Sequence, residues 1–489
     1  MAKRNRRQFL EDSMFAAAAV AAGSTSQLFA EGGDSTASSS PNARLGVAVV
    51  GVNGRGGSHI SALAGRKETE ILYVVDADRE LGPNRAKEIG KRQLGREPKY
   101  VEDIRAALDD KRVDIITIAT PNHWHSLHAI WGMQAGKDVY VEKPVSHNVS
   151  EGRRAVEAAR KYQRICQTGT QCRSNPGMIE AIQFVHSGQL GDVKVARGLC
   201  YKKRDSIGPK GDFKIPSNIN YDLWLGPAPQ APLTRQKLHY DWHWQWAYGN
   251  GDLGNQGIHQ MDLCRWALGV NELSKGVVSY GGRLGYEDAG ETANTQVIVH
   301  HYGDKSLVFE VRGLSTSDLK SAKVGIIVEC TEGYLVMTSY HSGAAFDKDG
   351  NMIKEFSGGD DKLHYANFIA AVRSRKLQEL NADIEQGHLS SALCHLGNIS
   401  YRLGEEVAAD DVLKKLEGFP SYDKNSDTYE RTLAHLKENK VDFANTKIRV
   451  GAQLRFDPAS ETFKGNDAAN TMLTREYRKP FIVPAAGQV

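Results

Sequence analysis

Residues 114–144 restrict this chain to a narrow set of folds. The stretches 114–119 (DIITIA) and 138–142 (DVYVE) are short and β-branched, the composition of strands buried on both faces of a parallel sheet. Between them, residues 126–136 place Leu127, Ile130, Trp131 and Gln134 at helical spacing and close on Gly136. This is a βαβ unit, and its right-handed crossover brings both strand ends to one rim of the sheet. Asn122, His123, His125, Glu142 and Lys143 stand at that rim, facing whatever the sheet binds.

A strand and glycine-rich turn lie upstream. Residues 45–51 (LGVAVVG) run into Gly51-Val52-Asn53-Gly54-Arg55-Gly56-Gly57, with a helix expected from about residue 58. Glycines there let the backbone approach a pyrophosphate seated on the helix N-terminus. Asn53 occupies the place of the second glycine of GxGxxG, so the turn alone is weak. The next strand, 71–75, ends at Asp76, about twenty residues beyond Gly56, where an acid binds ribose hydroxyls. Its charge repels a 2′-phosphate and favours NAD over NADP. Helices are expected over 83–94, from 102 onward and over 151–162. A strand at 165–168 then completes a Rossmann dinucleotide-binding domain spanning 42–168.

The pattern changes to period two in the next region. Residues 191–201, 275–279, 295–301, 306–311, 324–330 and 333–337 alternate as half-buried strands, with turn signals at 302–304 and 331–333. With helices over 178–187, 362–374 and 387–403, residues 169–405 form an α+β domain on a large open, mainly antiparallel sheet. The fold class is therefore α/β followed by α+β. Residues 406–489 are a C-terminal extension, polar and irregular from 418, whose end from Arg475 to Pro480 is expected to wrap the surface.

The first 41 residues differ in kind. Arg6-Arg7 before Phe9-Leu10, an Ala-rich run over 14–23 and a Ser-rich exit have the layout of a twin-arginine export signal, with possible cleavage after Ala30; the alternative is a basic tail. The signal implies the twin-arginine machinery as a partner and a periplasmic destination. A net charge of +3 argues against nucleic acid or a membrane surface, and no apolar run reaches the ~18 residues of a spanning helix. The six cysteines stand singly without metal spacing and read as buried thiols, one disulfide being the alternative in an oxidising compartment. His123, His125 and His128 have no accompanying carboxylate, so no metal site is assigned.

Four ordered motifs, Gly51 to Gly56, Thr120 to His125, Glu142-Lys143-Pro144 and Gly257-Ile258-His259-Gln260-Met261-Asp262, closely resemble the glucose-fructose oxidoreductase/inositol dehydrogenase (Gfo/Idh/MocA) family. The likeness covers nearly the whole chain after the signal and extends to an exported branch of that family. It implies NAD-dependent oxidation or reduction of a ring hydroxyl of a sugar, sugar derivative or cyclitol. It also implies assembly into homodimers or homotetramers through an apolar face of the second sheet. By resemblance Lys143 is the catalytic lysine, His259 its partner, and Pro144 aims the lysine. Gly51, Asn53, Gly54, Arg55, Gly56, Asp76, Thr120, Asn122, His125, Glu142 and Lys143 fall on the cofactor side, with Trp124 lining the nicotinamide pocket. Asn255 stands where many relatives carry an Asp that assists proton transfer, and an amide accepts no proton.

Asp262, one helical turn beyond His259, either orients the imidazole or simply solvates its helix. The cluster His239, Trp242, His243, Trp244 and Trp246 is either a sugar-stacking wall, with His243 and Trp246 as contacts, or core. Gln171 and Arg173 are further substrate candidates. Three functions stay open: a plain dehydrogenase, an NAD-recycling glycosidase or sugar-sugar oxidoreductase with tightly held cofactor, and a sugar-binding protein without chemistry.

Overall fold

The computed structural model describes residues 44–489; the expected signal lies outside them. Six strands form the first sheet: β1 (Leu45–Val50), β2 (Thr69–Val75), β3 (Lys99–Val101), β4 (Ile115–Ile118), β5 (Asp138–Val141) and β6 (Cys166–Thr168). All pair in parallel in the order β3-β2-β1-β4-β5-β6. The order reverses between β1 and β4, which opens a crevice at their carboxyl ends. Val47, Val49, Ile115 and Ile116 are fully buried, as continuous β-branched runs require when helices cover both faces.

Two helices begin earlier than their apolar spacing suggests. The first occupies Arg55–Leu63 and the crossover helix Asn122–Gln134, so His123 and His125 lie in its first turn rather than ahead of it. In the crossover helix the cause is burial on nearly every side, from Asn122 to Ile130 without a break. A helix enclosed all round shows no amphipathic period to read.

The second sheet has twelve strands. β7 (Val193–Tyr201), β8 (Gly276–Gly282), β9 (Thr295–His301), β10 (Ser306–Arg312), β11 (Val324–Cys330) and β12 (Gly333–Met337) lie where period two places them, within a few residues. β13 (Gly343–Asp347), β14 (Met352–Phe356), β15 (Glu405–Val407), β16 (Ile448–Val450), β17 (Leu454–Asp457) and β18 (Thr462–Phe463) were not expected. The sheet runs β14-β13-β12-β11-β7-β10-β9-β8-β16-β15; β17 pairs with β8 and β18. Only β7 and β10 pair in parallel.

On one face the helices Gly257–Leu268 and Ile384–Arg402 bury Met261, Cys264 and Leu393 against Ile298, Phe309 and Ile326. On the other, Val195, Val278, Val297 and Val308 are covered by Val412, Leu416, Tyr429 and Leu436 of the same chain. The sheet is thus less open than its strands suggest. The reading of 418–489 as irregular is also corrected, since it contains the helix Asn425–Glu438 as well as β16 to β18. These elements cover an existing sheet, so a few apolar residues suffice and the pattern is faint. The tail is buried at its end as well: Phe481, Val483 and Val489 join Trp124 in the first sheet's core.

All six cysteines are free thiols. Among the described residues no helix is long and apolar enough to cross a membrane, and no three His, Cys, Asp or Glu side chains are grouped to hold a metal ion.

Candidate active site

A cleft of about 410 Å³ opens at the carboxyl ends of β1, β2, β4 and β5, and Asp76, Asn122, Lys143 and His259 all line it. Gly51 has φ +76°, and a Cβ there would stand 2.8 Å from the Ala119 backbone. At Gly56 a Cβ would lie 1.9 Å from the Gly51 carbonyl oxygen; this glycine packs helix on strand and does not line the cleft. Gly54, at φ +43°, has open space where its side chain would be, and the helix it precedes has no side-chain cap. The Gly56 and Gly57 N–H groups at that helix start donate to the Asn53 and Gly54 carbonyls at 2.8 and 3.0 Å, so the turn offers the cleft close backbone approach rather than a row of open donors. Asn53 lines it too, its Oδ1 accepting from the Gly54 N–H at 2.9 Å.

Asp76 receives the Val52 N–H at 2.9 Å and the Asp78 N–H at 3.0 Å, which fixes its carboxylate at the end of β2. Thr120 Oγ1 and Asn122 Nδ2 are buried without a partner at the cleft wall. Unpaired buried polar atoms are costly, and here a dinucleotide would satisfy them, so these residues fit the group. His125 contacts the Pro144 carbonyl at 2.6 Å and the Thr120 carbonyl at 2.7 Å. Burial lowers its pKa, so one contact is a donated bond of a neutral ring, and the imidazole braces the strand ends. Trp124 presents its ring to the cleft, while its indole N–H donates to the Leu223 carbonyl at 2.9 Å.

Glu142 Oε1 receives Arg55 Nε at 2.9 Å and Gln171 Nε2 at 3.3 Å, with His59 Nε2 at 3.2 Å. Burial works against its charge, but Arg55 and His59 hold the carboxyl well below the usual range. The carboxylate thus ties the glycine-rich turn to the corner that carries Lys143. Arg55 also reaches Asp361 at 3.3 Å, leaving its Nη2 buried without a partner.

Lys143 donates from Nζ to the main-chain carbonyl of Asn255 at 2.6 Å, and the peptide bond to Pro144 is cis. Burial, only partly opposed by Glu142, pushes the ammonium down to about 8. His259 is buried in the helix Gly257–Leu268, with Nδ1 unpartnered and its ring 5.0 Å from that of Tyr340. Burial and the neighbouring Lys143 charge take it down to about 3, so the imidazole is neutral at physiological pH.

Residues 45–170 match the GFO_IDH_MocA model, an oxidoreductase family with an NAD-binding Rossmann fold, and residues 204–427 match that family's C-terminal α/β domain. The chain belongs to the Gfo/Idh/MocA family. Its first sheet is accordingly that of an NAD-binding Rossmann domain. Similar proteins include levoglucosan dehydrogenase of Pseudarthrobacter phenanthrenivorans, 25% identical over 42% of this chain and 44% of that one. The NAD(+)-dependent scyllo-inositol 2-dehydrogenase of Bacillus subtilis is 31% identical over 25% of this chain and 34% of its own length. A glycosyl hydrolase family 109 protein of Shewanella sp. is 26% identical over 30% and 33%. The chain thus spans a third to under a half of the length of these relatives. Among solved structures, the WlbA dehydrogenase of Bordetella pertussis in complex with NADH and UDP-GlcNAcA shares the fold, with TM-score 0.56 and 19% identity over 73% of this chain and 96% of that one.

Not every expected residue of this Gfo/Idh/MocA protein reaches the cleft. Asp262 turns from His259 to accept Arg173 Nε at 2.8 Å, Arg173 Nη2 at 2.9 Å and Ser390 Oγ at 2.7 Å. It does not orient the imidazole, and Arg173, consumed by that pair, is no substrate contact. A buried carboxylate takes the nearest guanidinium because burial without one is costly. Trp246 lies under the Arg402 guanidinium, 5.1 Å from its ring, and is likewise outside the cleft. His243 does line it, stacked on Trp242 with centroids 3.6 Å apart. Gln171 also faces the cleft, although its amide serves Glu142 and Tyr140. Sequence reasoning missed Tyr340 and Asp361, which follow β12 and begin the helix Asp361–Ser374 and carry no motif.

Proposed function

We propose that this protein is an NAD-dependent oxidoreductase acting on a ring hydroxyl of a sugar, sugar derivative or cyclitol, with Lys143 handling the hydroxyl proton. The observation that carries this is a buried amine, lowered to about 8, beside a neutral imidazole in a cleft with unpartnered polar atoms. When bound, the nicotinamide would give or take the hydride. Near neutral pH the Lys143 Nζ exchanges a proton readily, so it can accept one from a hydroxyl during oxidation and return it during reduction. The Asn255 carbonyl holds that nitrogen in place, so the lysine is anchored by main chain and the amide side chain carries no proton. Glu142 is a poor base because Arg55 and His59 stabilise its carboxylate and hold the carboxyl well below the usual range. Neutral His259 can share a hydrogen bond with the same hydroxyl, while Trp242, His243 and Tyr340 offer ring faces for stacking. NAD is favoured over NADP by the Asp76 carboxylate. A screen of sugars and cyclitols that follows nicotinamide absorbance tests the reading; protein that neither carries NAD(H) when purified nor binds it when added would refute it.

A second reading, NAD-recycling cleavage of a glycoside, gains support from relatives named as glycosyl hydrolases. Bond cleavage without added cofactor would select it. We also propose export by the twin-arginine route, motivated by Arg6-Arg7 ahead of the Ala-rich run. Finding the protein only in the cytoplasm on fractionation, or its export unchanged when both arginines become lysine, would refute that.

A further inference from the structure

The stretch from Asn218 to His243 falls within the match to the C-terminal domain, yet it is fastened to the nucleotide-binding sheet. On the β2 bank of the crevice, the Arg79 N–H donates to the Asn218 carbonyl at 2.9 Å and the Asn220 N–H to the Ala77 carbonyl at 2.8 Å. The side chains repeat this: Asn218 Nδ2 reaches Asp78 Oδ1 at 2.9 Å and Asn220 Nδ2 reaches Glu102 Oε2 at 2.8 Å. On the β4 bank, the Leu223 carbonyl accepts from Trp124 Nε1 at 2.9 Å and the Trp224 carbonyl meets His123 Nε2 at 3.0 Å. The C-terminal tail pins the same point, with Arg478 donating to the Gly226 carbonyl at 2.9 Å.

The segment therefore crosses the crevice where the strand order reverses and is held on both sides. It then returns along the cleft. His239 Nε2 lies 3.5 Å from Asp78 Oδ2, beside the Asp76 end, and Trp242 and His243 line the wall with Lys143. A dinucleotide lying between Asp76 and Lys143 would have this segment over it.

We propose that residues 218–243 form a cover that keeps NAD(H) in place as a resident group rather than an exchanging co-substrate, with His239 and Trp242 contributing to its binding wall. This rests on the NAD-site reading above. Exchange would require either bank to release its bonds together, because the main-chain and side-chain links on the β2 bank act in parallel. Slow exchange suits a reaction in which one bound nicotinamide is reduced and reoxidised within each turnover, with no net change in the cofactor.

The test uses the full chain. Protein desalted without added nucleotide is denatured and the released NAD(H) quantified; a second sample is mixed with isotope-labelled NAD and exchange is followed by mass spectrometry. The cover predicts near-stoichiometric NAD(H) and slow exchange, accelerated about tenfold or more in Asn218→Ala/Asn220→Ala while the protein stays folded, as loss of the side-chain bonds to Asp78 and Glu102 and of the Asn220 cap on the Leu223 N–H implies. Should that variant fail to fold, His239→Ala, whose side chain is exposed, is expected to accelerate exchange severalfold. Nucleotide-free protein that binds added NAD and exchanges it within mixing time would overturn the cover and leave the oxidoreductase reading standing. Protein that binds no NAD in either experiment would overturn both.

Discussion

Each sheet buries a carboxylate against arginine, one guanidinium at Glu142 and three at Glu310, and the two surroundings differ. Glu142, at the end of β5, meets Arg55, His59 and Gln171 beside a cleft where Thr120, Asn122 and His259 keep polar atoms without partners. Glu310, in β10, receives Arg197 at 2.7 Å, Tyr201 at 2.6 Å and Arg431 at 2.7 and 2.8 Å, under the helix Asn425–Glu438 and outside that cleft. Burial works against both charges, and their cations hold both carboxyls low, Glu310 at about 2. A buried ion cluster is therefore no mark of a site by itself. Adjacent space makes the difference, since Arg312 Nε beside Glu310 is also buried without a partner.

Substitution in the two clusters should separate chemistry from stability. Lys143→Ala removes the proton carrier next to Glu142, and kcat/KM should fall ~10²–10⁴-fold while bound NAD(H) is retained. A loss below tenfold on an identified substrate would remove Lys143 from the chemistry. Glu310→Ala leaves Arg431 and Arg312 without their carboxylate and Arg197 with Asp423 alone, and should cost about 3 kcal/mol or more in denaturant unfolding, with kcat/KM of the folded fraction nearly unchanged. If activity fell in step at temperatures where the variant stays folded, the second cluster would be coupled to the site.

The same contrast explains what the sequence discloses. Rossmann strands are legible because parallel strands buried on both faces must be continuous and β-branched, as in the run before Thr120. Lys143 and His259 are legible through their motifs. The covering elements are not, because Tyr429 and Leu436 pack on a sheet whose apolar face already exists, and three or four such residues leave no period. Asp262 illustrates another limit. Its spacing from His259 is compatible with either face of the interaction, and its pairing with Arg173, 89 residues away, is a matter of tertiary structure. Tyr340 reaches the cleft from the loop after β12 and shows only as a lone aromatic.

A smaller effect, on pH dependence, sharpens the cleft side of the comparison. The folded Lys143 ammonium titrates near 8, whereas an unfolded one titrates near 10.5. Between those values the unfolded chain binds the extra proton, so this group's contribution to stability rises with pH across the window. Lys143→Met should therefore be more stable than wild type near pH 7, with the gain shrinking from about pH 8 to 10.5, as urea titrations would measure. In the oxidative direction kcat/KM should rise with pH and level off above about 8, since Nζ must be neutral to accept a proton. A profile flat through that region would detach the rate from this amine.

The smallest effect belongs to a residue that sequence places in the site and the fold takes out of it. Trp246 and His243 sit three positions apart in one aromatic cluster, but His243 stacks on Trp242 at the cleft wall and Trp246 stacks under Arg402 beside Arg283 and Glu291. His243→Ala should raise KM about tenfold by removing part of the wall that a sugar ring would stack on. Trp246→Ala should leave kcat and KM within about twofold, its cost confined to the ~0.5–1 kcal/mol of an exposed cation–π pair and the area it covers. Steady-state kinetics of the two variants on one substrate decide the matter, because a tryptophan acting in the cleft would change KM at least as much as the histidine. Equal KM changes would place Trp246 back among the substrate contacts and require the segment after residue 243 to move toward the cleft when the substrate binds.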